Sequence, residues 1–374
     1  EKLNEKVSSM CRYFNAKVND AEKFDSRNNT FDDLIKVDRK AISWTNNLKK
    51  ELLKRNRILR EDYKFIKCHY RPFNKNFLCY SRKLNERVFQ QPKIFPDKYS
   101  RNIGISISGI GSRNGFSVLM SNSITDLNLL EAGAQFFPLN FYEQQDSVDD
   151  NLLFNTKNDG GGLSSAINNS ALIIFKEKYS GKDISFEDIF FYVYGILHSK
   201  EYRIRYANNL LKELPRIPLL KSYKNFRNFV IAGKKLGEMH MYFDKCDKYP
   251  ITCKEFDLLS LSTKNPISFY RVERMKFAKK GQKSTVIYNK NITIQNIPLE
   301  AYDYVVNGRS ALEWVMDRQC VKTDKSSGII NDANDYANET MNNPAYPLEL
   351  FQRVITVSLE TMKIVNSLPN LDID

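Results

Sequence analysis

Apolar residues along this chain repeat with two different periods, and the switch between them divides it. Val7, Met10, Phe14 and Val18 recur at near-helical spacing, and Ile42, Trp44, Leu48 and Leu52 suggest a second short helix after an Asp/Asn-rich loop at 25–33. From Tyr70 the period changes. Residues 77–80 are a short strand candidate, 103–108 alternate like a strand, and 116–120 are the expected hairpin partner. Residues 135–142 form another aromatic run, which Pro138 restricts to an edge or a bend. An acidic, then Gly/Ser/Asn-rich stretch at 144–165 predicts a surface loop.

Helical spacing then returns. Ser185, followed by Glu187 and Asp188, is suited to start a helix, because a serine cap and early acids satisfy free amides. Phe186, Ile189, Phe190, Val193, Tyr194 and Leu197 give that helix a wide apolar face, continued by Tyr202, Tyr206, Leu210 and Leu211 until Pro215 and Pro218. A further amphipathic helix is predicted over 223–242. Strands are predicted at 268–272, 284–288 and 292–294. Ser310 and Glu313 fit a capping box, and a last helix is expected over 348–365. The fold class expected is α+β, with a mixed or antiparallel β core, an inserted helical region and C-terminal helices. Residues 1–60 read as a helical connector with too little apolar surface to fold alone, expected to pack on something upstream. Residues 61–374 read as one domain, β-rich at 70–142 and 265–300 and helical at 183–243 and 310–366.

Composition fits a packed protein: 42% of the 374 residues are hydrophobic, with 24 Phe and 20 Tyr. No stretch has the length of a membrane span and no apolar secretory segment opens the chain, so a cytoplasmic protein is expected. The first residue is Glu1 rather than Met, which suggests a piece of a longer polypeptide. The six cysteines include no Cys-x-x-Cys pair; Cys246 and Cys253 near His240 do not match zinc spacing, and free thiols are expected.

Charge changes the picture more. The net +13 is concentrated in blocks: residues 61–120 carry 11 basic and 4 acidic groups, and 191–290 carry 21 and 8, whereas 121–190 carry 4 and 11. Folding can bring the basic blocks onto one face, as a DNA-binding protein needs. The candidate DNA contacts are Lys75, Arg82, Lys83, Arg87, Gln90 and Gln91 in the first block, with Arg113 at the tip of a Gly-rich hairpin. In the second block they are Arg203, Arg205, Lys224, Arg227, Arg271, Arg274, Lys276, Lys279 and Lys280. Arginine forks onto guanine, glutamine onto adenine, and lysine grips phosphate. For any one of them a solvated side chain or a structural ion pair is the competing reading, and for Arg309 with Asp317 an ion pair is preferred.

Catalytic motifs are lacking. Gly109 to Gly115 has one residue too many for a dinucleotide fingerprint and leads into a strand rather than a helix. Asn342-Asn-Pro-Ala-Tyr346 resembles the Asn-Pro-Pro-Tyr signature of amino methyltransferases, but Ala replaces a proline and no glycine-rich cofactor loop accompanies it. His69, His198 and His240 lie apart, and His198 reads as a helix-end or core histidine.

Several segments occur in an order that carries a resemblance: Tyr70-Arg-Pro-Phe73, Gln91-Pro-Lys-Ile-Phe-Pro96, Phe191-Tyr-Val-Tyr-Gly-Ile-Leu-His-Ser199, Leu214-Pro-Arg-Ile-Pro218, Asn307-Gly-Arg-Ser-Ala-Leu-Glu-Trp314 and Asp324-Lys-Ser-Ser-Gly-Ile-Ile-Asn-Asp332. Over roughly 38–374 the chain resembles the C-terminal target-recognition domain of Type ISP restriction–modification enzymes. The resemblance implies that residues 1–37 are the tail of a preceding methyltransferase domain. It also implies that this domain and the methyltransferase of the same polypeptide close around duplex DNA. The parent family uses S-adenosylmethionine, ATP and Mg in its other domains, and no cofactor is expected in this fragment. Shared motifs are then scaffold, and specificity is expected in 81–93, 111–115 and 263–283. Two alternatives are a methyltransferase with an atypical pocket and a basic protein–protein module.

Overall fold

The computed structural model describes residues 2–22, 35, 40–142, 162–253 and 265–373. The loops expected at 25–33 and, for the most part, at 144–165 lie outside them.

The N-terminal helix is α1 (Lys2–Glu22), whose Val7, Cys11, Phe14 and Val18 form one buried stripe. A second helix, α2 (Asn46–Leu53), is capped by Thr45, whose side chain accepts from the Leu48 N–H. Both helices pack with Ile58, Tyr63, Phe65, Cys79 and Leu84. The connector therefore packs on the hairpin that follows it. That hairpin is β1 (Lys64–Arg71) and β2 (Asn74–Tyr80), and β1 also pairs in parallel with β5 (Ile124–Thr125). The short helix α3 (Gln91–Ile94) follows it.

The Gly-rich segment joins two antiparallel strands, β3 (Gly104–Ile107) and β4 (Val118–Ser121), and β6 (Gln135–Pro138) pairs on the other side of β3. The run 135–142 is two strands: β7 (Asn140–Tyr142) turns away after Leu139 to pair with β8 (Leu163–Ser165). The helical insert then comprises α4 (Asn169–Lys178), α5 (Phe186–His198), α6 (Lys200–Arg205), α7 (Ala207–Leu210) and α8 (Tyr223–Met241). The apolar pattern beyond Leu197 does not extend α5, because Ser199 leaves helical geometry and caps a new helix.

One expected strand is wrong. Residues 268–272 are mostly in α9 (Pro266–Tyr270): Asn265 accepts from the Ser268 N–H and Pro266 occupies the first turn, where its missing N–H costs nothing. β9 (Thr252–Cys253), β10 (Lys276–Phe277), β11 (Val286–Ile287) and β12 (Thr293–Gln295) form a four-stranded antiparallel sheet in the order β10-β11-β12-β9. The ribbon β13 (Val305–Val306) and β14 (Arg309–Ser310) leads into α10 (Ala311–Arg318) through the predicted Ser310/Glu313 capping box. A second ribbon, β15 (Val321–Thr323) with β16 (Ile330–Asp332), precedes the short α11 (Ala333–Asp335) and the long α12 (Tyr346–Asn366). The fold is α+β as expected, with the strands in several small sheets.

Helix α8 is the spine. Glycines on both helices let α5 cross it at backbone contact: a Cβ on Gly233 of α8 would lie 1.9 Å from the Phe191 carbonyl oxygen, and one on Gly195 of α5 2.4 Å from that of Phe229. Its apolar face joins β3, β4 and α5 in one core, while α12, α10 and the four-stranded sheet build a second. Buried polar groups tie the two. His240 Nδ1 lies 2.6 Å from the Tyr194 hydroxyl, His240 Nε2 lies 2.9 Å from Thr361 Oγ1 on α12, and its ring stacks on Tyr304.

His69, His198 and His240 are each less than 4% exposed. Burial holds His69 and His240 near a pKa of about 3 and His198 well below the usual range. An unfolded chain binds protons at these sites from pH ~6.5 downward, so stability is full above that pH and is lost as pH falls toward 3. The expected loss is about 1–2 kcal/mol for each of His69 and His240 between pH 6.5 and 5. Urea unfolding at the two pH values checks this; equal midpoints would contradict it.

Candidate nucleic-acid interface

The predicted cations separate by whether they are already paired. Lys75 is not available: its side chain is 14% exposed and donates to Asp244 (12% exposed) at 2.7 Å, over the Phe243 ring. Burial lowers its pKa, and Asp244 opposes that shift. Lys83 reaches Asp62 at 2.7 Å and the Arg57 carbonyl at 3.2 Å. Arg227 pairs with Asp188, the capping residue of α5. Burial pushes that carboxyl up, but hydrogen bonds from Ser185 and Arg227 outweigh it and hold it below the usual range. Arg271 binds Glu273 at 2.7 Å and Asp332 at 2.9 Å, tying the start of the basic strand region to β16.

Arg203 is also internal. Its Nε donates to the Leu197 carbonyl at 2.7 Å, its guanidinium sits 5.7 Å from the Phe116 ring centroid, and burial lowers its pKa. It lines a 160 Å³ pocket with His198, Tyr304 and Asp303. Gln91 is half-buried, and its Oε1 has no partner. Each of these six side chains is held by, or turned toward, the protein. Sequence alone gave them the same standing as their exposed neighbours, because a lysine and its carboxylate partner lie up to 169 residues apart.

The remaining candidates are exposed: Arg82, Arg87, Gln90, Arg113, Arg205, Lys224, Arg274, Lys276, Lys279 and Lys280. None of these side chains forms a hydrogen bond or ion pair with a described residue. Most sit in three anchored loops. In the first, residues 81–93, Asn85 accepts from the Ser81 N–H at 2.8 Å. Glu86 accepts from the Asn47 N–H at 3.1 Å, and Asn47 donates to the Asn85 carbonyl at 2.9 Å. Val88 packs inward among Ile66, Cys68, Tyr80, Ile94 and Phe95. Arg87 and Phe89, on either side of it, adopt left-handed backbone with φ of 55° and 48° and point outward. The aromatics of 70–96 therefore divide: Phe73, Tyr80 and Phe95 are buried, whereas Phe89 is 72% exposed.

The second loop, Gly109 to Gly115, is the hairpin tip. Glu131 accepts from Ser112 Oγ at 2.6 Å and from the Arg113 N–H at 3.1 Å, and Gly111 donates to the Leu211 carbonyl at 2.9 Å. Asn114 donates to Asn307 at 3.1 Å. That contact reaches the turn before α10, where Arg309 pairs with Asp317 at 3.4 Å. Glu313, the capping residue of α10, meets Lys283 at 3.4 Å, at the base of the third loop, 278–285. The second and third loops are thus linked through the start of α10. The first is tied to α2 instead, and among the described residues no hydrogen bond or ion pair joins it to the others. Asn342-Asn-Pro-Ala-Tyr346 is no base pocket, because Tyr346 is 5% exposed and packs on Tyr336.

The family model described as the Type ISP C-terminal specificity domain matches residues 1–350. The chain belongs to this family. The match begins at residue 1, so the likeness includes the N-terminal helix as well as the segment from 38 onward. Among solved structures, a nuclease-deletion mutant of the Type ISP restriction–modification enzyme LlaGI in complex with a DNA substrate mimic is 36% identical over 98% of this chain, with a TM-score of 0.81. The ATP-dependent Type ISP enzyme LlaBIII bound to DNA is 32% identical over 100% (TM-score 0.82), and a DrdV–DNA complex 28% over 98% (TM-score 0.77). The chain spans 31%, 22% and 34% of those three proteins. No curated protein matches it.

Lys75→Ala strands the Asp244 carboxylate in a half-dry site and is expected to cost about 3 kcal/mol of stability. Arg274→Ala, with no partner to strand, is expected to change stability by less than ~0.5 kcal/mol. Denaturant melts of the two variants distinguish structural from free cations; equal losses would contradict the division.

Proposed function

We propose that this chain is the part of a Type ISP restriction–modification enzyme that recognises a sequence in duplex DNA. The observation that carries the reading is the set of unpaired cations on anchored loops, in a domain whose family relatives LlaGI and LlaBIII were solved on DNA. A loop cation with no internal partner is free to exchange counterions for phosphates. Arg82, Arg87 and Gln90, and separately Arg113, are the groups suited to the base edges, because anchored loops position a short fork reproducibly; Arg274 offers the same fork just before β10, and Lys276 on that strand is suited to phosphate. Lys279, Lys280, Lys224 and Arg205 are suited to the backbone.

In this reading the rest of the polypeptide does the chemistry. A methyltransferase domain transfers a methyl group from S-adenosylmethionine to the N6 of adenine, and ATP- and Mg-dependent domains carry out restriction. The setting is the cytoplasm, in defence against phage DNA. The chain's own residues bind and orient the duplex, and none is assigned a catalytic step.

Binding to a random duplex is expected to weaken about a thousandfold between 50 and 200 mM salt if six or more phosphates are neutralised. Arg82→Ala, Arg87→Ala and Arg274→Ala should each weaken binding several-fold, a phosphate contact lowering the salt slope by about 1 and a base contact flattening sequence preference instead. A fluorescence-anisotropy titration over salt measures both. Salt-independent binding, or wild-type affinity in all three variants, would refute the reading.

A further inference from the structure

We infer that Phe89 is a base-stacking wedge, the apolar point of a DNA-contacting loop whose cations straddle it. This rests on the proposed function and extends it to a residue with no charge.

A phenylalanine normally buries its ring, yet Phe89 is 72% exposed. Its backbone is left-handed (φ 48°), as is that of Arg87 (φ 55°), a conformation that side chains other than Gly and Asn adopt rarely. Such strain persists where the surroundings fix it, and here they do so on both sides. Glu86 and Asn85 are held to Asn47 on α2, Val88 is packed inward, and the Gln91 N–H donates to the Val88 carbonyl at 3.1 Å. The fold therefore spends local strain to turn Val88 in and to present Arg87 and Phe89 outward. Left unstrained, the alternation would not need two left-handed residues in three.

The chemistry beside the ring selects the partner. Arg82, Arg87 and Gln90 are exposed and unpaired with any described residue, and Lys93 is exposed on α3. An apolar protein surface would leave these cations desolvated without partners. A nucleic acid satisfies both halves, with phosphates for the cations and an unstacked base step for the ring. The ring needs no reorganisation to enter such a step, since the loop already fixes its direction.

The test compares an intact 30-base-pair duplex with the same duplex carrying one abasic site, where the cost of opening the stack is already met. The wild-type chain should prefer the abasic duplex by about tenfold. Phe89→Ala should reduce that ratio to near one, Phe89→Leu should retain most of it, and all three proteins should melt alike because the ring is outside the core. A ratio near one in the wild type, or the same ratio in Phe89→Ala, overturns the wedge. If salt-dependent duplex binding persists in that case, the proposed function stands and the ring belongs to a protein contact. Absence of any duplex binding overturns the proposed function together with this inference.

Discussion

The backbone contact between α5 and α8 is the constraint on which the rest of the molecule depends. Gly195, Gly233 and Gly237 remove the side chains that would hold the helices apart; Gly237 makes the same allowance for Met120 of β4. Closing that crossing does more than bury the rings of Tyr192, Phe226 and Phe229. It brings Tyr194 to His240, and His240 in turn reaches Thr361 on α12. One helix thereby joins two hydrophobic cores, and a neutral histidine supplies the polar link between them. A methyl group at Gly233 would clash with main chain rather than with a flexible side chain, so the crossing cannot relax cheaply.

The hairpin-tip loop at 109–115 inherits its position from this frame, whereas the loop at 81–93 is held by α2. Met120, whose N–H donates to the Tyr194 hydroxyl oxygen at 3.0 Å, lies at one end of the β3–β4 hairpin. The tip of the same hairpin is held by Glu131, Leu211 and Asn307 from three different parts of the chain. Position is thus determined by long-range contacts, while exposure of the charges is determined by what is missing around them. A basic protein need not be uniformly available to an anion: Lys75, Lys83, Arg227 and Arg271 spend their charge internally, and their loop neighbours do not.

Much of the architecture was legible in the sequence because it is local. The capping serines at 185 and 310, the helical stripe from Val7 to Val18, the hairpin at 103–120 and the pair Arg309–Asp317 all depend on residues close together. Strand 268–272 was misread because aromatic alternation outweighed the Asn265–Pro266 start signal. The site was less legible for a different reason. Ion pairing of Lys75 with Asp244 spans the two basic blocks, and no periodicity marks it. The outward turn of Phe89 was not legible either: Val88 is the half-buried, inward-packed residue of the pair, and only the left-handed backbone at Arg87 and Phe89 shows which of the two faces out.

Arginine- and lysine-directed chemical footprinting of the protein with and without duplex DNA tests the division of charges most directly. Protection by DNA is expected at Arg82, Arg87, Arg113, Arg274, Lys276, Lys279 and Lys280, with Lys75, Lys83, Arg227 and Arg271 unreactive or unchanged in both states. Protection confined to the paired set, or none at the loops, would contradict the claim that unpaired cations on anchored loops form the DNA-facing surface.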